Sequence, residues 1–486
     1  FYTKKNGSLF FATTLQSLLK TGYIDREISL SAMNTYFSAT AICPPNTLLK
    51  NIFCLRPGSI VSYVNGDFSD YDYWPIKNIQ EDYSRGMDDF VEEVRALILD
   101  AITIRANYGK ETYSSLLSGG VDTGIISATL AGLNQQTGKK LPVFSIAFEE
   151  EFYSDAKLQQ IMYERYALEP HITILTSQEF SDILQKAVAY LDTPVNDVAL
   201  VGMYKAFEMA KHAGCLAVFD GEAADEIFYT GHAHAEREFQ RYLVIPFWLR
   251  QVLFGKTIKT VPLGDSFWKK GLRFLYRLGL PDNERRLIGL PTFYRHSTPI
   301  LLDYDAVQSE DPLYMGRKYL SETSVKDPLN IYYYGLLKTF LPDDLLFKNE
   351  RMAAVHGVMN RTPFIDYRLV ELAYKIPQKL KIKAPTETDD GTKLVYKKAI
   401  KGLIPDEILN RKKTRGFSQP SSVWYRNKLK DFVSDTLFSQ ESRCLNYVNK
   451  QYMQQLYSEH VSGKANFDYL LNSLLIFEFW LRAFLK

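Results

Sequence analysis

The stretch Tyr113-Ser114-Ser115-Leu116-Leu117-Ser118-Gly119-Gly120-Val121-Asp122-Thr123 reads as a β-strand running into a glycine turn, with apolar residues at helical spacing from Gly124 to Leu133 behind it. A strand that ends in two glycines and enters a helix directly sets backbone N–H groups and the positive helix end around a small volume. That volume suits a phosphate or pyrophosphate. Gly119 and Gly120 let the backbone approach the anion, Asp122 adds a carboxylate that can share Mg²⁺ with it, and Thr123 adds a hydroxyl. A plain strand-to-helix turn capped by Ser118 fits the same six residues, and in isolation the two readings stand level.

Working outward, strands and helices alternate: Val143 to Ala147 (strand), Ala156 to Tyr166 (helix), Ile172 to Leu175 (strand), Phe180 to Ala189 (helix) and Leu216 to Phe219 (strand). The expected fold is α/β, a doubly wound parallel sheet followed beyond Phe228 by a mainly helical C-terminal part. Upstream, Leu9 to Ala12 and Ile60 to Val64 are β-prone, and Asn65-Gly66 is a hairpin turn signal, so the first part is expected to hold an antiparallel sheet. The polar stretch around Gln80 to Tyr83 divides the chain into residues 1–80 and 81–486.

The fourth strand of the parallel series runs into Phe219-Asp220-Gly221-Glu222-Ala223-Ala224-Asp225-Glu226, with four acids in seven positions. Ligands of open α/β sheets bind at that edge, so Asp225 is expected to meet Asp122 and complete a magnesium site, with Glu222 as a candidate base. An acid-rich helix start favoured by the macrodipole explains the same four acids.

Composition narrows the classes. The 58 Lys and Arg nearly balance the 56 Asp and Glu, leaving +2, which gives no case for nucleic-acid binding. The apolar stretches Tyr242 to Phe254 and Tyr469 to Leu485 are interrupted by Pro246, Arg250, Asn472, Glu478 and Arg482, so no membrane span and no membrane partner is expected. Four scattered cysteines, Cys43, Cys54, Cys215 and Cys444, suit a reducing, cytoplasmic compartment. The chain opens at Phe1 with no charged-then-apolar leader, so no secretion signal is expected, and a fragment of a longer protein is one reading that stays open.

The two strand-end motifs, about a hundred residues apart, resemble those of the asparagine synthetase family of ATP pyrophosphatases. The resemblance covers nearly the whole chain. It takes in Phe11-Ala12, Pro44-Pro45, Leu55-Arg56-Pro57-Gly58, Tyr73-Trp74, Val143 to Phe148, Phe340 to Leu346, Arg361 to Asp366, Arg411 to Lys413, Gly416-Phe417 and Phe479-Trp480. It implies that residues 1–80 are a partial antiparallel β glutaminase-like domain ahead of an ATP-pyrophosphatase synthetase domain. It also implies ATP and Mg²⁺, with Ser118, Gly119, Gly120, Asp122 and Thr123 on the pyrophosphate and Asp122 and Asp225 on the metal. Leu117 and Ile146 would offer backbone groups to adenine, Asp220 and Gly221 would lie against the nucleotide, Glu222 would serve the attacking amine, and Lys413 would stabilise the adenylated carboxylate.

The substrate implied is a small-molecule carboxylate, first of all the aspartate side chain, with ammonia or a glutaminase as nitrogen source and a homodimer as one assembly. Departures from the family pattern keep other readings open. Asp220 stands for a serine and Met359 for a glutamate, and one extra residue between Lys413 and Gly416 makes Lys412 a rival to Lys413. The family's glutaminase cysteine and its amine have no counterpart, since Phe1 aligns inside that domain and Cys43 and Cys54 fall on later strands, so glutamine hydrolysis by these residues is not expected. Two readings stay open: a fragment of a longer protein, or a chain whose ammonia or amine arrives from elsewhere. A sugar acid or peptide carboxylate as acceptor, and a non-catalytic scaffold, are the alternatives. His232, His234 and Glu236 are expected to be solvated, Tyr332-Tyr333-Tyr334 to be core, and Phe247-Trp248-Leu249 to pack between helices.

Overall fold

The computed structural model describes residues 1–485 except 40, 75, 110, 136–137, 151–154, 231, 256–266, 290–301, 303–312, 387–388 and 412–418. Its centre is a five-stranded parallel sheet of β5 (Tyr113–Leu116), β6 (Leu141–Phe148), β7 (Leu168–Leu175), β8 (Ala217–Phe219) and β9 (Met359–Arg361), in the order β7-β6-β5-β8-β9. The order reverses between β5 and β8. In a doubly wound sheet that switch point opens a crevice at the carboxyl ends of the strands.

Helices cover both faces, as parallel strands buried on two sides require. On one side α3 (Met87–Ala106) and α4 (Val121–Gln135) contribute Phe90, Val94, Ile98, Ile125, Ile126 and Leu130 to a buried cluster that continues into Tyr332, Tyr333, Tyr334 and Tyr396. After α5 (Ala156–Arg165), which links β6 to β7, α6 (Ser177–Val188) and α7 (Ala199–His212) on the other side join a second cluster with the C-terminal helix Asp468–Phe484. The tyrosine run and the Leu474 to Phe484 stripe are core, as the sequence suggested.

The first part forms two antiparallel pairs, not one sheet: β1 (Tyr2–Lys5) with β2 (Ser8–Phe11), and β3 (Ser59–Val64) with β4 (Asp67–Asp72). The second is the expected hairpin, turned by Asn65 at φ 52° and Gly66 at φ 96°. Between the pairs, α1 (Leu15–Leu19) and α2 (Leu30–Ser38) bind the segment to the rest of the chain. Phe37 meets Phe477 edge-on at 5.2 Å, Tyr36 Oη donates to the Ser473 carbonyl at 2.9 Å, and Leu15 N–H donates to buried Asp192 at 2.7 Å.

Other expectations need correction. Strand β9 falls in the part read as helical, and its three residues are too short to show a period. Cys43 and Cys54 lie in irregular segments, not on strands, and burial pushes both thiols up, the second to about 11, with Asp343 adding to the rise in each. Glu236 is buried and paired with Arg285 at 2.7 Å, while His234 Nε2 is 2.6 Å from the Asp390 carbonyl oxygen. Trp248 is 66% exposed, so helix packing does not cover it. Among the described residues no helix is long and apolar enough to cross a membrane.

Candidate active site

Leu117 to Gly120 connect β5 to α4 at the switch point. Ser118 N–H donates to Thr123 Oγ1 at 3.2 Å, the two hydroxyls lie 3.1 Å apart, and Gly120 N–H donates to Ser118 Oγ at 3.3 Å, which closes the loop on itself. Gly119 holds φ +78°, and a Cβ there would sit 3.1 Å from Asp155 Cβ, so both conformation and space call for glycine. Arg411 braces the loop from outside, donating to the Gly119 carbonyl at 3.1 Å and pairing with Asp155 at 2.9 Å.

The acid-rich motif comes to the same place. Asp220 leaves β8, and a Cβ on Gly221 would lie 3.1 Å from Asp122 Cβ and 3.2 Å from Thr123 N, so glycine is what lets the two motifs touch. Asp225 follows on the short helix α8 (Ala224–Phe228). Asp122 and Asp225 converge on one cation, Lys393 Nζ, which is 2.8 Å from both Asp122 oxygens and 2.6 Å from Asp225 Oδ1. Burial opposes charge on Lys393, but the two carboxylates outweigh it and hold the ammonium protonated beyond its ordinary range.

Glu222 stands on the same turn. Burial raises its carboxyl to about 7, against the pull of Lys348 and with Asp220 and Asp197 adding to the rise. Asn349 Nδ2 reaches Glu222 Oε1 at 3.4 Å and Asp220 Oδ2 at 3.2 Å, and Asn360 Nδ2, on β9, reaches Asp220 Oδ2 at 2.7 Å. Asp220 is thus buried under its neighbours. It organises the turn and also accepts the Glu222 N–H at 3.3 Å.

The strand ends differ in what they offer. Leu117 N–H donates to the Phe144 carbonyl at 2.9 Å, and its own carbonyl accepts from Ser145 Oγ at 2.7 Å and Gln159 Nε2 at 3.1 Å. Ile146 lies two residues beyond Phe144, and by strand alternation its peptide groups turn to the same side, past the end of β5. Lys412 and Lys413 lie outside the described residues; the chain enters their segment from Arg411, anchored on the glycine loop. Lys393, Lys348, Asn349 and Asn360 were not singled out from the sequence. Lys393 sits at φ +54° ahead of the helix Leu394–Ala399, a placement that no residue pattern announces.

The donor set fits Mg²⁺, because two carboxylates meet where a cation already sits. Among the described residues no group of three or more His, Cys, Asp or Glu comes together as a metal site.

Comparison with known proteins identifies the family. Residues 93–482 match the asparagine synthase family model and residues 1–74 a glutamine amidotransferase domain. The chain is 28% identical to asparagine synthetase [glutamine-hydrolyzing] 1 of Bacillus subtilis, over 99% of this chain and 73% of that protein. It is 26% identical to asparagine synthetase [glutamine-hydrolyzing] 3 of the same organism, over 85% of this chain and 62% of that one. A putative asparagine synthetase [glutamine-hydrolyzing] of Mycobacterium tuberculosis is 28% identical over 81% of this chain and 58% of its own length. The chain thus spans less than two thirds of the latter two relatives. With its family match covering most of its length, the chain belongs to the asparagine synthase family of ATP-dependent amide ligases.

Proposed function

We propose that the chain activates a carboxylate, the aspartate side chain first of all, as an acyl-adenylate that ammonia converts to the amide, releasing AMP and pyrophosphate. The observation that carries this reading is the convergence of Asp122 and Asp225 on one cation beside a glycine loop, with Glu222 on the same turn. Residues 1–80 serve as a partial glutaminase-like domain and 81–486 as the synthetase, working in the cytoplasm.

In the first step a substrate carboxylate oxygen attacks the α-phosphorus of ATP, and the bond to the β-phosphate breaks, its electrons leaving with pyrophosphate. Ser118, Gly119, Gly120 and Thr123 surround the departing phosphates with N–H and hydroxyl groups, and Lys393 gives up its place between the two aspartates to the metal while keeping its positive charge nearby. Asp122 and Asp225 would hold Mg²⁺, which when bound draws charge from the phosphate oxygens. Ile146 faces adenine through its backbone, and Asp220 with Gly221 shapes the turn beneath the nucleotide.

In the second step ammonia attacks the activated carbonyl, AMP leaves, and Glu222 takes the proton from the new ammonium. A carboxyl near 7 suits that task, since about half of it is ionised at neutral pH and the ionised form is basic enough to accept. Lys413, just after Arg411, stabilises charge on the adenylated carboxylate. The test is isotope transfer: aspartate labelled with ¹⁸O in its side-chain carboxylate should deliver one ¹⁸O to AMP. Unlabelled AMP formed alongside asparagine would contradict the adenylate.

A further inference from the structure

Helix α8, five residues long, carries Asp225 and is bracketed by two non-glycine residues at positive φ, Ala223 at +75° and Tyr229 at +74°. With ψ 138°, Tyr229 occupies backbone space that side chains other than glycine avoid, and such a residue persists only when its surroundings hold it. What holds it is a buried polar post. Its ring stacks on Tyr333 at 4.1 Å, its hydroxyl donates to Asn330 Oδ1, and Lys381 Nζ stands 4.3 Å over its face.

Lys381 donates to the same Asn330 oxygen at 3.0 Å, and Asn330 Nδ2 donates to Glu81 at 2.8 Å. Tyr229, Lys381 and Asn330 are essentially without exposure. Asp327 and Glu81 are the acids that face the lysine, and Tyr374 is the second ring beside it. Burial pulls the Lys381 amine down to about 7 against the two acids, and nothing in the proposed chemistry uses this group. The post leads back to the site: Tyr229 N–H caps α8 by donating to the Asp225 carbonyl at 3.1 Å.

We propose that Lys381 and Asn330, acting through Tyr229, are positioning residues for the ligase reaction, fixing the end of α8 so that Asp225 faces the ATP phosphates. This rests on the reading of Asp122 and Asp225 as the metal-phosphate site. Loss of the post leaves the glycine loop intact and lets α8 relax, so the magnesium-dependent share of ATP binding suffers and the metal-free share does not.

The test is calorimetric titration with ATP, with and without Mg²⁺, of wild type, Lys381→Met, Tyr229→Phe, the double variant and Asp225→Asn, with melting temperatures to establish folding. Each single change at the post is expected to weaken Mg²⁺-ATP binding about ten-fold, the scale of losing a group that orients a metal ligand, with metal-free binding changed less than about two-fold. The double variant is expected to match the weaker-binding single one, because the two side chains act as a unit. The two single variants preserve side-chain volume, and either one that folds suffices. Folded post variants that keep wild-type Mg²⁺-ATP affinity while Asp225→Asn loses it would overturn the proposal. If Asp225→Asn itself keeps that affinity, the underlying site reading falls and the proposal falls with it.

Discussion

Lys393 places its ammonium 2.8 Å from both carboxylate oxygens of Asp122, and so fills the space between the two aspartates of the site. Lys393→Met leaves two neighbouring carboxylates facing each other. Both retain some exposure, so the expected loss is roughly 2–3 kcal/mol, at or below the low end for broken buried pairs. Millimolar Mg²⁺ is expected to raise the melting temperature more in this variant than in wild type. An equal rise in both would argue against a shared cation position.

Gly221 is where the two motifs touch, and Gly221→Ala forces a Cβ to within 3.1 Å of Asp122 Cβ. Displacement by even a few tenths of an ångström separates the glycine loop from the acid-rich turn. Equilibrium binding should report ATP affinity down about ten-fold, the scale of a misplaced site group, in a protein that still folds. Unchanged affinity would mean that the turn is not part of the nucleotide site.

Raising of Glu222 to about 7 has two consequences of opposite sign. As a base it gains activity as pH rises through that value, so at constant free ammonia the amine-transfer rate should climb between pH 6 and 8, and Glu222→Gln should lose both the rate and the climb. For stability, the folded form binds a proton that the unfolded form has lost between about 4.5 and 7. Glu222 therefore stabilises fully below the lower value, and that contribution is lost as pH rises through the upper one. Unfolding titrations across this window should show Glu222→Gln with the shallower decline.

Much of this was legible in the sequence because backbone chemistry wrote it there. The glycines of the phosphate loop and Asn65-Gly66 announce positive φ, and the alternating apolar runs announce the parallel strands. The convergence of Asp122 and Asp225 followed from two strand ends and the rule for ligand position in such sheets. The rest was set by contacts across long separations. Strand β9 pairs with β8 after some 140 residues, Lys393 reaches Asp122 from 271 residues away, and Lys381 meets Tyr229 from a part of the chain with no motif. Glu236 looked solvated because its partners Arg285 and Arg286 belong to another helix.

The two basic candidates after Arg411 differ in a testable way. Lys413→Ala should preserve ATP binding and reduce adenylate formation by about 10²-fold or more, in keeping with removal of one electrostatic group from a reacting centre, whereas Lys412→Ala should change the rate less than about three-fold. Single-turnover measurement of AMP formation separates them, and the reverse order would assign the role to Lys412.

The most direct measurement is release of AMP and pyrophosphate from Mg²⁺-ATP with ammonium, with and without aspartate, for wild type and Asp122→Ala. The account expects aspartate-dependent AMP in step with asparagine, abolished in the variant. ADP and phosphate as products, or AMP release that survives Asp122→Ala, would contradict it.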